Sequence, residues 1–138
     1  MNIIDKYQHN QEGYNPCLIT GKWQVAFLNY NKDESLSAIT KLDIHHHTDE
    51  AFIILKGRAI LIAADIKEHI IGYDVTDMKQ GLIYNIRKNV WHKIAMEEGS
   101  QVLIIENENT HKNDFEFYDL DEKQIKQLRK IVNDCKMG

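Results

Sequence analysis

His45, His46 and His47 stand in a row, Glu50 follows after two intervening residues, and Gly57 after six more. A further histidine closes the later run Asn89-Val90-Trp91-His92. Imidazole and carboxylate are the usual protein ligands of divalent Zn, Mn, Fe, Ni or Cu. In an extended chain the side chains alternate between faces, which sets His45 and His47 on one side and His46 on the other. Two histidines on one strand face, a carboxylate on the next strand and a distant histidine can converge inside a small β-structure. Scarce water there leaves a metal an open coordination position. The competing reading is a histidine row at a solvated strand end, with His92 a pocket or core histidine. His9, His69 and His111 lie in polar surroundings and are expected at the surface. Cys17 and Cys135 form no CxxC pair and are read as free thiols of a reducing compartment.

Convergence needs short strands, and the sequence supplies them. Trp23 to Leu28 carries apolar groups on both faces, and Leu36 to Leu42 is a second candidate strand. Ala51 to Leu55 and Ala59 to Ala64 flank Lys56-Gly57-Arg58, which reads as a hairpin. Ile70 to Tyr73, Leu82 to Ile86, Val90 to Ala95 and Val102 to Glu106 follow, separated by turn-like polar stretches. Many short strands with turns between them suggest a β-sandwich or barrel. The first twenty residues read as mostly irregular. At the other end, Ile125, Leu128, Ile131, Val132 and Cys135 recur at helical spacing, predicting one amphipathic helix over about 121–134 that packs as a lid. Asp119 and Glu122 resemble a capping box at its start.

These residues resemble the cupin superfamily, and most closely its small single-domain members of RmlC-like type. The first cupin motif runs Gly-x5-His-x-His-x(3,4)-Glu-x6-Gly, and the stretch from His45 through Glu50 to Gly57 matches its second half. The second motif, Gly-x5-Pro-x-Gly-x2-His-x3-Asn, appears as Arg87-Lys88-Asn89-Val90-Trp91-His92, with Met96 at the final Asn position. Glu106-Asn107 completes the likeness, which covers roughly residues 22–108. Arg87 and Asn89 replace the motif's Pro and Gly, and Asn tolerates the positive φ such a turn needs. The spacing before Glu50 leaves three registers open. His45 and His47 both serve as ligands, or His46 serves with Ile44 in the first position, or His45 serves with Asp43 ahead of it.

The resemblance implies a mainly β fold, a cupin jelly-roll barrel with a C-terminal helix, in one domain spanning 1–138. It implies a divalent metal (Fe, Mn, Ni or Zn) held by His45, His47, Glu50 and His92, with Asp43 the rival of His47. It also implies a small polar ligand or substrate in the barrel, and a homodimer formed through outward apolar strands. A metal-free binding protein without turnover is the alternative; the reaction type is not legible. Composition agrees with one ordinary globular domain: 138 residues, 43% hydrophobic and 28% charged. The net charge of −4 argues against a nucleic-acid partner. No apolar run approaches the roughly 20 residues of a membrane span. Residues 1–10 lack the apolar stretch of a signal peptide, so a cytoplasmic location is expected.

Overall fold

Strands form where β-branched and aromatic residues recur between turn residues. In the computed structural model, which describes residue 1 and residues 3–137, these are β1 (Gly13–Ile19), β2 (Trp23–Asn29), β3 (Lys41–Ile44), β4 (Glu50–Lys56), β5 (Ala59–Lys67), β6 (Ile70–Asp77), β7 (Tyr84–Ile86), β8 (Trp91–Met96), β9 (Gln101–Asn107) and β10 (Glu116–Asp119). A helical turn α1 (Thr110–Asn113) precedes β10, and helix α2 (Glu122–Met137) follows it. The strands make two antiparallel five-stranded sheets, ordered β1-β2-β9-β4-β7 and β10-β3-β8-β5-β6. The protein is therefore mainly β with a C-terminal helix, as expected.

The sheets face each other across one apolar core. Leu28, Phe52, Ile54, Val102 and Ile104 of the first sheet meet Ala59, Leu61, Ile94 and Met96 of the second. On the outer side of the second sheet Ile60, Ile62, Ala64, Ile71 and Ala95 join a separate cluster with Leu128 and Val132 of α2. That is why β5 is apolar on both faces: one side fills the core, the other receives the helix. Burying Leu128 and Val132 contributes roughly 1.5–3 kcal/mol each.

Several local expectations are corrected. Residues 36–42 are not one strand; two 3-10 turns, Lys32–Glu34 and Leu36–Ala38, come first, and extended pairing begins only at Lys41. Asn31 accepts from the Asp33 N–H and Ser35 Oγ donates to the Lys32 carbonyl, local bonds that compete with a sheet ladder. The N-terminal region contains β1, hidden in the sequence because a bulge between Pro16 and Leu18 breaks its alternation. The capping box of α2 is Asp121 with Gln124, not Asp119 with Glu122. The Gln124 N–H bonds to Asp121 Oδ1 at 2.7 Å, and the Asp121 N–H to Gln124 Oε1 at 2.9 Å.

Gly57 closes the β4–β5 hairpin at φ +79°, where an added Cβ would lie 2.6 Å from Ser100 Cα. Ser100 Oγ meanwhile accepts from the Arg58 N–H and donates to the Arg58 carbonyl, both at 2.8 Å. Gly57→Ala is expected to lower stability by about 2–4 kcal/mol, combining left-handed strain with overpacking. Urea denaturation of the variant beside the parent chain measures it; an unchanged midpoint would mean the hairpin relaxes freely.

Candidate functional site

Sheet register assembles the site. On the inner face of the first sheet Gln24 of β2 stands opposite Glu106 of β9. One step beyond the Ala51–Ile105 pair, Glu50 of β4 comes beside Glu106 on its other side. A polar row, Gln24–Glu106–Glu50, thus crosses the sheet above the apolar row Ala26–Ile104–Phe52. In the second sheet Asp43 of β3 pairs with His92 of β8. Glu50, Glu106, Asp43 and His92, with Tyr14, Glu34, His45, Lys93 and His111, line a cavity of about 170 Å³.

The structure brings His45, Glu50 and His92 together, with one donor atom from each lying within 4.8 Å of the others. His45 Nδ1 meets the Asp114 carbonyl at 2.6 Å and His92 Nδ1 meets the Val90 carbonyl at 3.0 Å. A carbonyl only accepts, so both rings carry a proton on Nδ1 and present Nε2 to the cavity. The two Nε2 atoms lie 2.7 and 3.7 Å from Glu50 Oε2. That oxygen is buried and faces these two ring nitrogens. Two imidazole lone pairs and a carboxylate oxygen aimed at one point require a cation, either a metal ion or added protons.

Without a metal, protons fill that role. Burial disfavours the imidazolium of His45, but the Glu50 carboxylate and the Asp114 carbonyl outweigh it and raise its pKa from 6.5 to about 9. Burial pushes Glu50 up, yet its bonds to His45 and His92 prevail and hold it well below the usual carboxylate range. Burial and the adjacent Glu50 push Glu106 up to about 8. Tyr14 donates its phenol proton to Glu106 Oε1. It can do so because Gln24 is pinned: Gln24 Oε1 accepts from the Asn109 N–H at 3.0 Å, leaving Nε2 to donate to Tyr14 at 2.8 Å and to His111 Nδ1 at 3.0 Å.

His47 lies outside the cluster, on the exposed surface. Strand alternation ends at Ile44, and the Asp114 carboxylate then captures the main-chain N–H groups of His46 and His47 at 2.8 and 3.0 Å. The captured turn points His47 away from the face it would have shared with His45. His46 faces outward too, bonded to Asn89 and Glu116. Asp43 lines the cavity but pairs with Lys93 at 3.3 Å. Asn89 takes φ +66° and donates its N–H to the His45 carbonyl at 2.7 Å, so Asn does stand in for the motif's glycine. His69 is exposed, as expected, and His9 is half-buried with its carbonyl bonded by Asn29 and Gln101. His111 is not a surface bystander; it lines the cavity. Tyr14 and Glu106 are further site residues beyond the expected set. For Glu106 the signal was present, since it continues the buried alternation Val102, Ile104.

Sequence comparison finds no matching family model and no curated protein of significant similarity. Structural comparison does find relatives of the fold. A 3,4-ketoisomerase from Helicobacter canadensis is similar at TM-score 0.52 and 13% identity, over 77% of this chain and 74% of that one. A cupin superfamily protein from Desulfitobacterium hafniense gives TM-score 0.50 and 17% identity, over 73% and 81%. The Fe(II) form of HppE gives TM-score 0.50 and 20% identity, over 68% and 48%. The chain has the fold of the cupin superfamily. No helix among the described residues is long and apolar enough to cross a membrane.

The proton balance sets a pH dependence for chelator-treated protein. His45 is raised, so its stabilising contribution is complete below its ordinary 6.5 and is lost as pH climbs through about 9. Glu106, raised from 4.5 to about 8, has the same sign over a lower window. Glu50 is lowered, so its contribution is present above 4.5 and is lost in acid. Thermal midpoints of the metal-free chain are therefore expected to fall between pH 6.5 and 9. A flat profile there would rule out the His45–Glu50 ion pair.

Proposed function

We propose that the protein is a metal-dependent cupin enzyme acting on a small polar molecule, with His45, Glu50 and His92 as the ligands of a divalent ion such as Fe, Mn, Ni or Zn. The observation that carries this reading is the buried Glu50 oxygen faced by two Nε2 atoms, each ring locked by a main-chain carbonyl on its other nitrogen. Nitrogen–nitrogen–oxygen donors with open positions suit all four metals. A bound ion would supply Lewis acidity or dioxygen chemistry. Glu106, held by Tyr14, is the adjacent group able to keep or accept a proton at Oε2. The fold is shared with HppE, which holds Fe(II), and with a ketoisomerase, which supports a small-molecule site in this fold without naming the reaction. The competing reading is a metal-free binding protein. The 2.7 Å His45–Glu50 contact favours it to this extent: one added proton already satisfies the pair.

Elemental analysis of the purified chain separates the two. His45→Ala and His92→Ala are expected to abolish retention of one metal per chain, while His47→Ala and His46→Ala retain it. Outer partners of metal ligands are worth about 10–100-fold in affinity, so loss of a ligand itself should exceed that. The fold should survive, because the apolar rows beneath the site do not involve the metal. Unchanged metal in both His45→Ala and His92→Ala would refute the site, and a metal-free parent chain would favour the binding protein.

We further read the two facing sheets as the halves of a jelly-roll barrel, and the outer face of the first sheet as a homodimer interface. That face carries Val25 opposite Ile105 opposite Ala51, and Phe27 opposite Leu103 opposite Ile53, with Leu18 beside Val25. The helix packs on the other sheet. Light scattering is expected to give twice the 16.2 kDa chain mass. A monomer at micromolar concentration would overturn this reading.

A further inference from the structure

We propose that His111 selects the ligand of this cavity, donating its Nε2–H to the carbonyl oxygen of a small uncharged molecule whose aromatic ring lies in the recess walled by Phe115 and Phe117. This rests on the reading of the cavity as a small-molecule site and names the chemistry of its ligand. A chain of hydrogen bonds decides where the His111 proton sits. The Asn109 N–H only donates, so the Gln24 atom it meets at 3.0 Å is the amide oxygen. The other arm of that fully buried side chain is then the NH2 group, which meets Tyr14 Oη at 2.8 Å and His111 Nδ1 at 3.0 Å. An amide NH2 only donates as well, so Nδ1 offers a lone pair and the proton of the neutral ring sits on Nε2. Burial, with the charge of Lys112, lowers the pKa of the ring from 6.5 and favours that neutral form. Tyr14 also packs against the ring, with centroids 5.2 Å apart.

His111 is thus the reverse of His45 and His92, which keep their protons on Nδ1 and turn lone pairs to the cavity. Its Nε2 has no partner among the described residues and is not one of the chain's buried unpartnered atoms, so it stays open to solvent. A free N–H calls for an acceptor from the ligand. His111 lines both the cavity and a shallower recess of about 180 Å³, which also touches Asp43 and His45 and is walled by Phe115 and Phe117. The register that pairs Phe117 with Asp43 places the rings there. Their centroids are 5.3 Å apart with planes tilted by 49°, and the residues remain 41% and 50% exposed. A third ring meets such a pair edge-to-face or offset. Charge then separates one acceptor from another. Asp43 and Glu50 line the metal-free cavity, and among the described residues Lys93, the one Lys or Arg of the lining, is already paired with Asp43 at 3.3 Å. An uncharged carbonyl is therefore favoured over a carboxylate.

Two measurements on the chelator-treated full chain test the proposal. Long-range proton–nitrogen NMR at neutral pH reads the ring directly, and His111 is expected as the Nε2–H tautomer. Chemical-shift titration then compares acetophenone with α-methylstyrene, which has the same shape but a CH2 group in place of the oxygen, and with benzoate and acetone. Acetophenone is expected to bind about three- to tenfold more tightly than α-methylstyrene, the weight of one net hydrogen bond. Benzoate, with its charge, and acetone, without a ring, should both bind more weakly than acetophenone. His111→Phe should erase the preference for ketone over alkene, whereas Phe115→Ala should weaken both and keep their ratio. An Nδ1–H tautomer, equal binding of ketone and alkene, tighter binding of benzoate, or no ketone binding would overturn the proposal. The tautomer and the probe series are read on the parent chain, so a misfolded variant leaves the test intact. Zinc uptake measured separately keeps the two readings apart. Uptake without ketone preference defeats the His111 proposal alone, and ketone preference without uptake defeats the metal site alone.

Discussion

A carboxylate buried in an apolar sandwich stays ionised only if positive charge or directed donors surround it. Glu50 is 6% exposed, and everything near it answers that requirement. His45 and His92 turn Nε2 toward it because their other nitrogens are taken by the Asp114 and Val90 carbonyls. A different tautomer would leave a carbonyl facing a bare nitrogen, so the two anchors hold the site ready for a cation. Asp114 serves twice, since its carboxylate also ties down the chain just after His45 through two N–H groups. The short connection through α1 therefore organises a histidine far away in sequence.

The antiparallel register explains why such a group can exist in a chain of this size. Gln24, Glu106 and Glu50 form one row, and below them lie only apolar pairs down to Leu28–Val102–Ile54. Polar chemistry occupies one end of the sandwich and the core occupies the rest. Gln24 is bonded to Asn109, Tyr14 and His111, and Glu106 Oε1 to Tyr14, while Glu50 Oε2 and Glu106 Oε2 are buried without a directed donor, so the row's unsatisfied oxygens gather at the site and not in the apolar rows below it.

How much of this was legible follows from where alternation holds. His45, Glu50 and His92 lie on or beside regular strands, and their residue types together with the resemblance to the cupin motifs brought them into one set. His47 was mistaken for a partner because period-two reasoning was carried past Ile44, where the strand ends and a carboxylate 67 residues away captures the backbone. The apolar spacing gave the helix over about 121–134, which the structure extends to Met137, while its cap was displaced by two residues because both Asp119 and Asp121 precede an acceptable partner. Tyr14 and His111 could not be found from sequence. One sits on a strand disguised by a bulge, the other on a four-residue helical turn without periodicity.

The two sheets differ in one respect that bears on the site. Helix α2 runs 16 residues, about 24 Å at 1.5 Å per residue, and covers the outside of the second sheet. Among the described residues the first sheet has no such helical cover, yet its outer ladder Val25–Ile105–Ala51 consists of the immediate chain neighbours of Gln24, Glu106 and Glu50. Side chains on opposite faces of a strand share one backbone. A second copy seated on that ladder would hold β2, β9 and β4 at fixed separation. The distances among the three inward polar groups are set by the same strands, so the proposed dimer contact and the geometry of the cation-binding row are two faces of one constraint.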